Sequence, residues 1–526
     1  MKAILIVDDR SVAIWQVRAL QYAQGQLDVA LILSCENTRT RVRWIRHALY
    51  YVMAVLRRRR LAARQLVNVG TTPLMSFRAE SDGLWQRLPS DVESVIRASS
   101  AQVVVKFGMS LLRVPNGASD FPPILSFHHG DPRRFRGRPA GFYEVLTGEA
   151  TAGVIVQSLS NRLDGGVVWA ECNTRVIPWS YRRTLDGLLA SSECLLSAAL
   201  RNLERGRGTV LEDLGPLFRL PSNRLVVRFW FLLLRRRVRR LAYGLFCEKR
   251  WNIGVLPSFD LRSDYDFQRT SVRAAVVPSE YVFLADPFPS QDESVIRAEA
   301  LSRRTRVGEI VELDAKTLEY KRSVLRGGHF SYPFSLGVGE REVVIPETAQ
   351  HLPASMFEES ADGWNWSSIR GLEGLRVIDP TCCFHEGKWF LFCGLSGRED
   401  SELHVFVSSQ FDGPFRAHAL NPIVVDPTRP RMGGRLLRQG GELMRIGQDC
   451  SRGYGNGITV CLVKSLSVDE YDEEVIGAVR CSGAKGPHTL NQLGDGFVVD
   501  FYSEHFSPLA WSARVAGRLR GRKRRG

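Results

Sequence analysis

The sequence predicts a chain of two folds: an N-terminal α/β domain on a mostly parallel, Rossmann-like sheet, and a C-terminal all-β domain forming a five-bladed propeller. Three observations predict this. The 526 residues exceed what one ordinary core accommodates. Over residues 1–170, apolar runs of strand length alternate with helical stretches. From about residue 250 onward, short strands and turns recur with a period near 50.

In order, AILIV (3–7), VALILS (29–34), QVVVKFG (102–108) and GVIVQSL (153–159) read as strands buried on both faces, because they are continuous apolar runs. Helical stretches lie between them, around 11–24 and 41–66. A sheet of this kind places its site beyond the carboxyl ends of its strands. An amphipathic helix over 181–205 closes the first domain, 1–205. Residues 206–249 follow as a basic amphipathic linker helix, carrying LVVRFWFLLLRRRVRRLAYGLF at 225–246. The propeller is expected over 250–512, with a basic tail at 513–526.

The repeat within the second domain is carried by prolines. ADPF (285–288), SYPF (331–334) and IDPT (378–381) place Pro287, Pro333 and Pro380 in similar contexts, 46 and 47 residues apart. Each is followed by a turn and an apolar strand, and QGGELMRIG (439–447) and LGDGFVVDFY (493–502) supply two further turn-plus-strand units. Four strands per unit at this period describe propeller blades. WNIGVL (251–256) is placed to supply the strand that closes the ring.

The formal net charge of +15 favours an anionic partner. The arginine-rich segments 41–64 and 225–246 resemble interfacial helices, and two settings suit them: packing on the protein with arginines in water, or lying on an anionic membrane surface. No run reaches the roughly 18 apolar residues of a span, and the apolar run near the N-terminus is too short for a signal peptide. The ten cysteines lack a C-x-x-C framework, as in reduced, cytosolic proteins. The expected location is cytoplasmic, peripheral on the inner membrane face. The tail RLRGRKRRG (518–526) invites a nucleic-acid reading, but exposed aromatics interleaved with the basic residues are missing.

The stretch ILSFHHGDPRRFRGRPAGFYEVLTGEATAGVIVQSLSNRLDGGVVWA (124–170) carries the chemistry. It resembles the core of methionyl-tRNA, glycinamide ribonucleotide and sugar N-formyltransferases, whose pattern is N-x-H-P-S-L-L-P-x-Y-R-G, then a G-V-T strand, then a D-x-G turn. His128 matches the family histidine, and Phe135, Arg136 and Gly137 the Y-R-G element. Gly153 and Val154 open the following strand, and Asp164 matches the aspartate. Ser126 stands at the family asparagine, an oxyanion donor, and His129 replaces the proline. The resemblance implies transfer of a formyl group from N10-formyltetrahydrofolate to an amine, with His128, Asp164, Ser126 and His129 as catalytic candidates. It implies further that the backbone of VVVKFGMSLL (103–112), at Phe107, Gly108, Met109 and Leu111, holds the folate, and that Arg136 and Gly137 lie on the acceptor side. Nothing between 171 and 245 resembles the tRNA-gripping domain of methionyl-tRNA formyltransferases, which turns the expectation toward amino sugars.

The second half resembles the N-terminal propeller domain of plant glucosamine inositolphosphorylceramide transferases and, distantly, five-bladed furanosidases. ADPF, HFSYPF (329–334), IPE (345–347), IDPT, GGRLLRQGGELMRIGQDCSRGYG (433–455) and HT (488–489) carry this resemblance. It implies that Asp286, Glu347, Asp379 and Asp449 line one pocket, with Arg435, His329, Tyr332 and His488 adding hydrogen bonds and Tyr454 or Trp389 stacking on a sugar. The expected partner is an amino-sugar nucleotide or lipid-linked glycan, and no metal is expected. The alternative is an inactive formyltransferase fold joined to a carbohydrate-binding or glycoside-processing propeller.

Overall fold

The computed structural model describes residues 1–36, 44–55, 60–67, 70–115, 121–339, 341–361 and 363–512. The basic tail and part of the arginine-rich segment 41–64 lie outside the described residues. The chain divides into two compact units, Met1–Val238 and Arg239–Gly526.

The first unit is built on one sheet. Strands β1 (Lys2–Asp8), β2 (Asp28–Cys35), β3 (Leu74–Phe77), β4 (Val103–Lys106) and β5 (Ile124–His128) are parallel, in the spatial order β3-β2-β1-β4-β5. Strands β6 (Thr151–Ser158) and β7 (Val167–Arg175) extend it antiparallel beyond β5. The central strands are buried on both faces, which explains why they read as unbroken apolar runs. This is a doubly wound order, and its switch point lies between β1 and β4.

Helices cover both faces. Helix α1 (Ile14–Tyr22) places Trp15 against Phe107 and Phe127, with ring centroids 5.9 and 5.0 Å apart. Helix α2 (Trp44–Val55) precedes α3 (Ser90–Ala98). Helix α3 carries Asp91 and Glu93 in its first turn and Arg97 in its last, matching its dipole, and buries Val92 and Ile96 against Ile4, Ile6, Val104 and Ile124 on the opposite face. A short helix, α4 (Phe142–Thr147), leads into β6. Helix α5 (Tyr181–Glu204) is capped by Ser180, which accepts the Arg183 N–H, and buries Leu188, Leu195, Leu196 and Leu200.

Helix α6 (Asn223–Phe246) begins in this unit. It buries Val226, Phe229 and Leu233, and Phe229 stacks on Phe142 at 4.2 Å. Arg236 donates to the carbonyls of Val145 and Pro178. The division between the units falls inside this helix. Among the described residues, no helix is long and apolar enough to cross a membrane.

The second unit is all-β. Its described strands form five sheets, led along the chain by Tyr281–Pro289, Ser331–Val338, Val377–His385, Arg431–Met432 and Leu490–Leu493. Pairing is antiparallel apart from Tyr265–Gln268, which joins the fourth sheet parallel to Tyr471–Ser482. The segment WNIGVL lies in the strand Cys247–Leu256, which pairs along its whole length with Gly496–Phe506 in the fifth sheet. The three proline repeats share one structure. In each, the register slips around the proline, at Ala285/Phe288, Ser331/Phe334 and Ile378/Thr381. The residue before the proline has positive φ: 51° at Asp286, 47° at Tyr332 and 49° at Asp379. Each is a β-bulge that re-aims one side chain.

Phe229→Ala is expected to destabilise the first unit by about 3–5 kcal/mol, read as a lower midpoint in chemical denaturation. Phe231→Ala, at a ring that is 70% exposed, is expected to change that midpoint by less than about 0.5 kcal/mol.

Candidate functional site

The alternation of β5 divides its residues between the two faces of the sheet. Ser126 and His128 follow Ile124 on the α3 face. His128 Nδ1 lies 3.4 Å from Asp164 Oδ1, and its Nε2 lies 3.1 Å from the Phe135 carbonyl oxygen. Asp164 sits in the turn between β6 and β7 with φ 52°, and its Oδ2 accepts the Gly137 N–H at 3.1 Å. The carboxylate therefore holds both the imidazole and the chain of the R-G element. Gly130 is required here, because a Cβ would lie 2.7 Å from the Phe135 oxygen and 2.8 Å from His128 Nε2. Both side chains of the pair are about nine-tenths buried, 10% and 11% exposed.

His129 turns to the other face. Its Nε2 lies 3.1 Å from Ser192 Oγ on α5, and its ring meets Trp15 edge-on at 5.3 Å. Burial, with His128 beside it, pushes its pKa down to about 4, so it is neutral. The structure does not bring His129 to the His128–Asp164 pair. Arg136 Nε donates to the Gly215 carbonyl at 2.7 Å.

The segment after β4 lies at the switch point. The Phe107 ring packs on Trp15 and Phe127. Gly108 lies so close to β1 that a Cβ would come within 2.5 Å of the Val7 carbonyl carbon. Met109 has φ 62° and donates its N–H to Asp8 Oδ1 at 2.7 Å. Leu111 pairs with Trp85. Sequence reasoning passed over Lys106, the last residue of β4 and the register partner of Ser126. Burial pulls its pKa down to about 8, against the opposing field of Asp8.

The second unit gathers a separate cluster of charged side chains from its five sheets and their connections. His488 lies between two carboxylates, with Nε2 3.1 Å from Asp286 Oδ1 and Nδ1 2.7 Å from Asp500 Oδ2. Burial opposes its charge, but Asp500 and Asp286 outweigh it and push its pKa up to about 10. The ligand atoms of these three residues lie within 4.8 Å of one another. A ring protonated at both nitrogens nevertheless has no lone pair for a metal. Asp286 also accepts from Thr489 Oγ1 at 2.8 Å and from the Tyr332 N–H at 3.2 Å. Asp500 accepts the N–H groups of Asp286, His488 and Thr489.

Arg431 grips Asp379 with two hydrogen bonds, 2.7 and 3.1 Å. Glu347 lies beside that pair, and burial together with Asp379 raises its pKa to about 8. Burial raises the pKa of Asp379 as well, against the pull of Arg431. Glu299 is held protonated, its pKa well above the carboxylate range, by burial and then by Asp286. Tyr454 borders the cluster, 4.9 Å from both the Arg431 guanidinium and the His488 ring, and Trp251 lies 4.1 Å from His488.

Asp286, Glu347, Asp379 and His488 are thus brought together. Apart from Tyr454, the other expected residues serve the fold. Tyr332 is fully buried, and its hydroxyl meets Thr381 at 2.9 Å and the Gly434 N–H at 3.0 Å. Arg435 donates to the carbonyls of Ser335 and Pro289. Asp449 fixes its own loop through Ser451 and Asn456. His329 accepts the Gly308 N–H at 2.9 Å and is held neutral by burial and His351, its pKa down to about 4. Trp389 packs on Phe384 and Phe411. Glu299, Arg431 and Asp500 were missed. The available signal was a charge inside an apolar strand, as in IRAEALS and FVVDFY.

A family model described as Glucosamine inositolphosphorylceramide transferase 1, N-terminal, matches residues 270–494. Glucosamine inositolphosphorylceramide transferase 1 of Arabidopsis thaliana is 26% identical over 222 residues, 40% of this chain and 29% of that protein. Its namesake in Oryza sativa subsp. japonica is 28% identical over 171 residues, 31% of this chain and 23% of that protein. The chain therefore spans under a third of the length of these relatives. Among solved structures, glycinamide ribonucleotide transformylase 1 from Symbiobacterium toebii is 15% identical, covering 41% of this chain and 94% of its own with a TM-score of 0.28. A sugar N-formyltransferase from a Shewanella species is 12% identical, covering 41% and 76% with a TM-score of 0.27.

His488→Gln is expected to destabilise the second unit by about 3–5 kcal/mol at pH 7, because it leaves buried carboxylates unpaired. The loss should shrink at pH 5, where those carboxyls take up protons in place of the imidazolium. Chemical denaturation at the two pH values checks this.

Proposed function

We propose that the first unit transfers a formyl group from N10-formyltetrahydrofolate to the amine of an amino sugar, carried on a nucleotide or a lipid-linked glycan. The observation that carries this reading is the His128–Asp164 pair at the carboxyl edge of β5, in the order and spacing of the formyltransferase motif. Bound folate supplies an activated formyl carbon. His128 sits where it can move the proton that the attacking amine must lose, and Asp164 orients the ring. Phe107, Gly108, Met109 and Leu111 lie at the switch point, where open α/β sheets take their ligands.

In the second unit we read the five sheets as the blades of a closed propeller around the carboxyl cluster. Tyr454 and Trp251 supply aromatic faces, and Arg431, Glu347 and Glu299 supply donors and acceptors suited to sugar hydroxyls. The relatives' names, which couple glucosamine with inositolphosphorylceramide, fit a glycolipid ligand. A second reading, glycan binding without transfer, draws on Ser126 in place of an amide and on the Phe135 carbonyl occupying His128 Nε2.

Calorimetric titration with 5-formyltetrahydrofolate separates the two. Binding by wild type and His128→Ala, with formyl transfer to amino-sugar acceptors lost by about 10²-fold or more in the variant, is expected for the enzyme. No folate binding leaves glycan recognition alone.

The proposed membrane contact is α6, which exposes Phe231, Leu234 and Val238 along one stripe beside Arg235 and Arg239. Cosedimentation with phosphatidylserine-containing vesicles is expected, weakening with salt, and the double variant Phe231→Glu/Leu234→Glu is expected to abolish it.

A further inference from the structure

Formyl transfer places negative charge on the formyl oxygen. The amine nitrogen bonds to the formyl carbon and the carbonyl electron pair moves onto oxygen. Collapse then breaks the bond from that carbon to N10, and the proton that the amine loses ends on N10. The step needs a hydrogen-bond donor aimed at the oxygen. At the ends of β4 and β5, on the α3 face, the described residues offer three side chains that carry a polar hydrogen: Lys106, Ser126 and His128.

Two of them fit the role poorly. Both nitrogens of His128 face oxygen acceptors, Asp164 and the Phe135 carbonyl. Ser126 is buried, and its hydroxyl reaches only one bond beyond Cβ. Lys106 differs in reach and in freedom. It is the register partner of Ser126 across the parallel β4–β5 pair, so the two side chains rise side by side from one face, with His128 two residues further along β5. Among the described residues its ammonium forms no hydrogen bond and no ion pair. A lysine placed at the switch point of a doubly wound sheet stands where such folds take their ligands.

We infer that Lys106 is the oxyanion donor of this site, its ammonium donating to the formyl oxygen as charge develops there. The inference rests on the formyl-transfer reading above and supplies what Ser126 lacks. The titratable group whose field acts on it is Asp8 from β1, and His128 stands two residues beyond its register partner on β5. Helix α3 turns Val92 and Ile96 to this face. With its pKa near 8, Lys106 keeps its proton at neutral pH and loses it in mild alkali.

The test uses two stable probes with the full-length chain, 10-formyl-5,8-dideazafolate and 5,8-dideazafolate, which differ only in the formyl group. Calorimetry is expected to show wild type at pH 7 preferring the formylated probe by about tenfold or more. The preference should disappear in Lys106→Met and Lys106→Gln, survive in Lys106→Arg, and fade as pH rises through about 8. Unchanged affinity for the unformylated probe reports that each variant is folded. A formyl preference retained in Lys106→Met, or none in wild type, overturns the assignment while leaving the folate site in place. Failure of wild type to bind either probe overturns the formyl-transfer reading, and the assignment with it.

Discussion

A single imidazolium between two carboxylates is the constraint around which the second unit is arranged. An ionised carboxylate buried without a partner costs several kcal/mol. Asp286 and Asp500 avoid that cost because His488 lies between them. The same aspartates then accept backbone N–H groups from Tyr332 in the second sheet, from Asp286 itself in the first, and from His488 and Thr489 in the segment leading into the fifth. The second cation, Arg431, repeats the arrangement with Asp379. With two cations for five carboxyls, Glu299 and Glu347 are left to hold protons. The centre of this unit thus presents both protonated and ionised carboxyls at neutral pH.

The first unit solves a different problem. The polar groups of its candidate site are set at the ends of buried strands, where the β–α connections release the chain from the sheet. Gly108 lets the segment after β4 close over β1, Gly130 keeps a side chain away from His128, and Asp164 ties the turn after β6 to Gly137. The sheet thus supplies Lys106, Ser126 and His128, and the connections bring the rest of the site around them.

Much of this was legible. The unbroken apolar runs read as central parallel strands because both faces of those strands are covered. The 46- and 47-residue proline spacing was a reliable marker because each proline sits in the same bulge. Pattern reading failed where tertiary contacts decide a side chain's use. Tyr332 and Arg435 look like ligand-facing residues in sequence, yet their polar atoms serve backbone groups brought from other strands. Asp500 and Glu299 lay inside strands scored as apolar, and only the fold reveals that they face the same centre as Asp286. His129 was drawn to the site by adjacency to His128, whereas strand alternation sends neighbours to opposite faces.

The repeated bulge has a consequence for how such a unit changes over time. In an ordinary strand, exchanging an inward residue alters the packing of a whole face. Here the residue before each proline leaves the ladder with positive φ, so its side chain is exempt from the alternation that the core imposes. The first and third sheets use the position for aspartate, a charge, and the second for tyrosine, a neutral pin. One backbone device thus works as an interchangeable socket. The chemistry at the centre can be rewritten one sheet at a time while the strands around it keep their register.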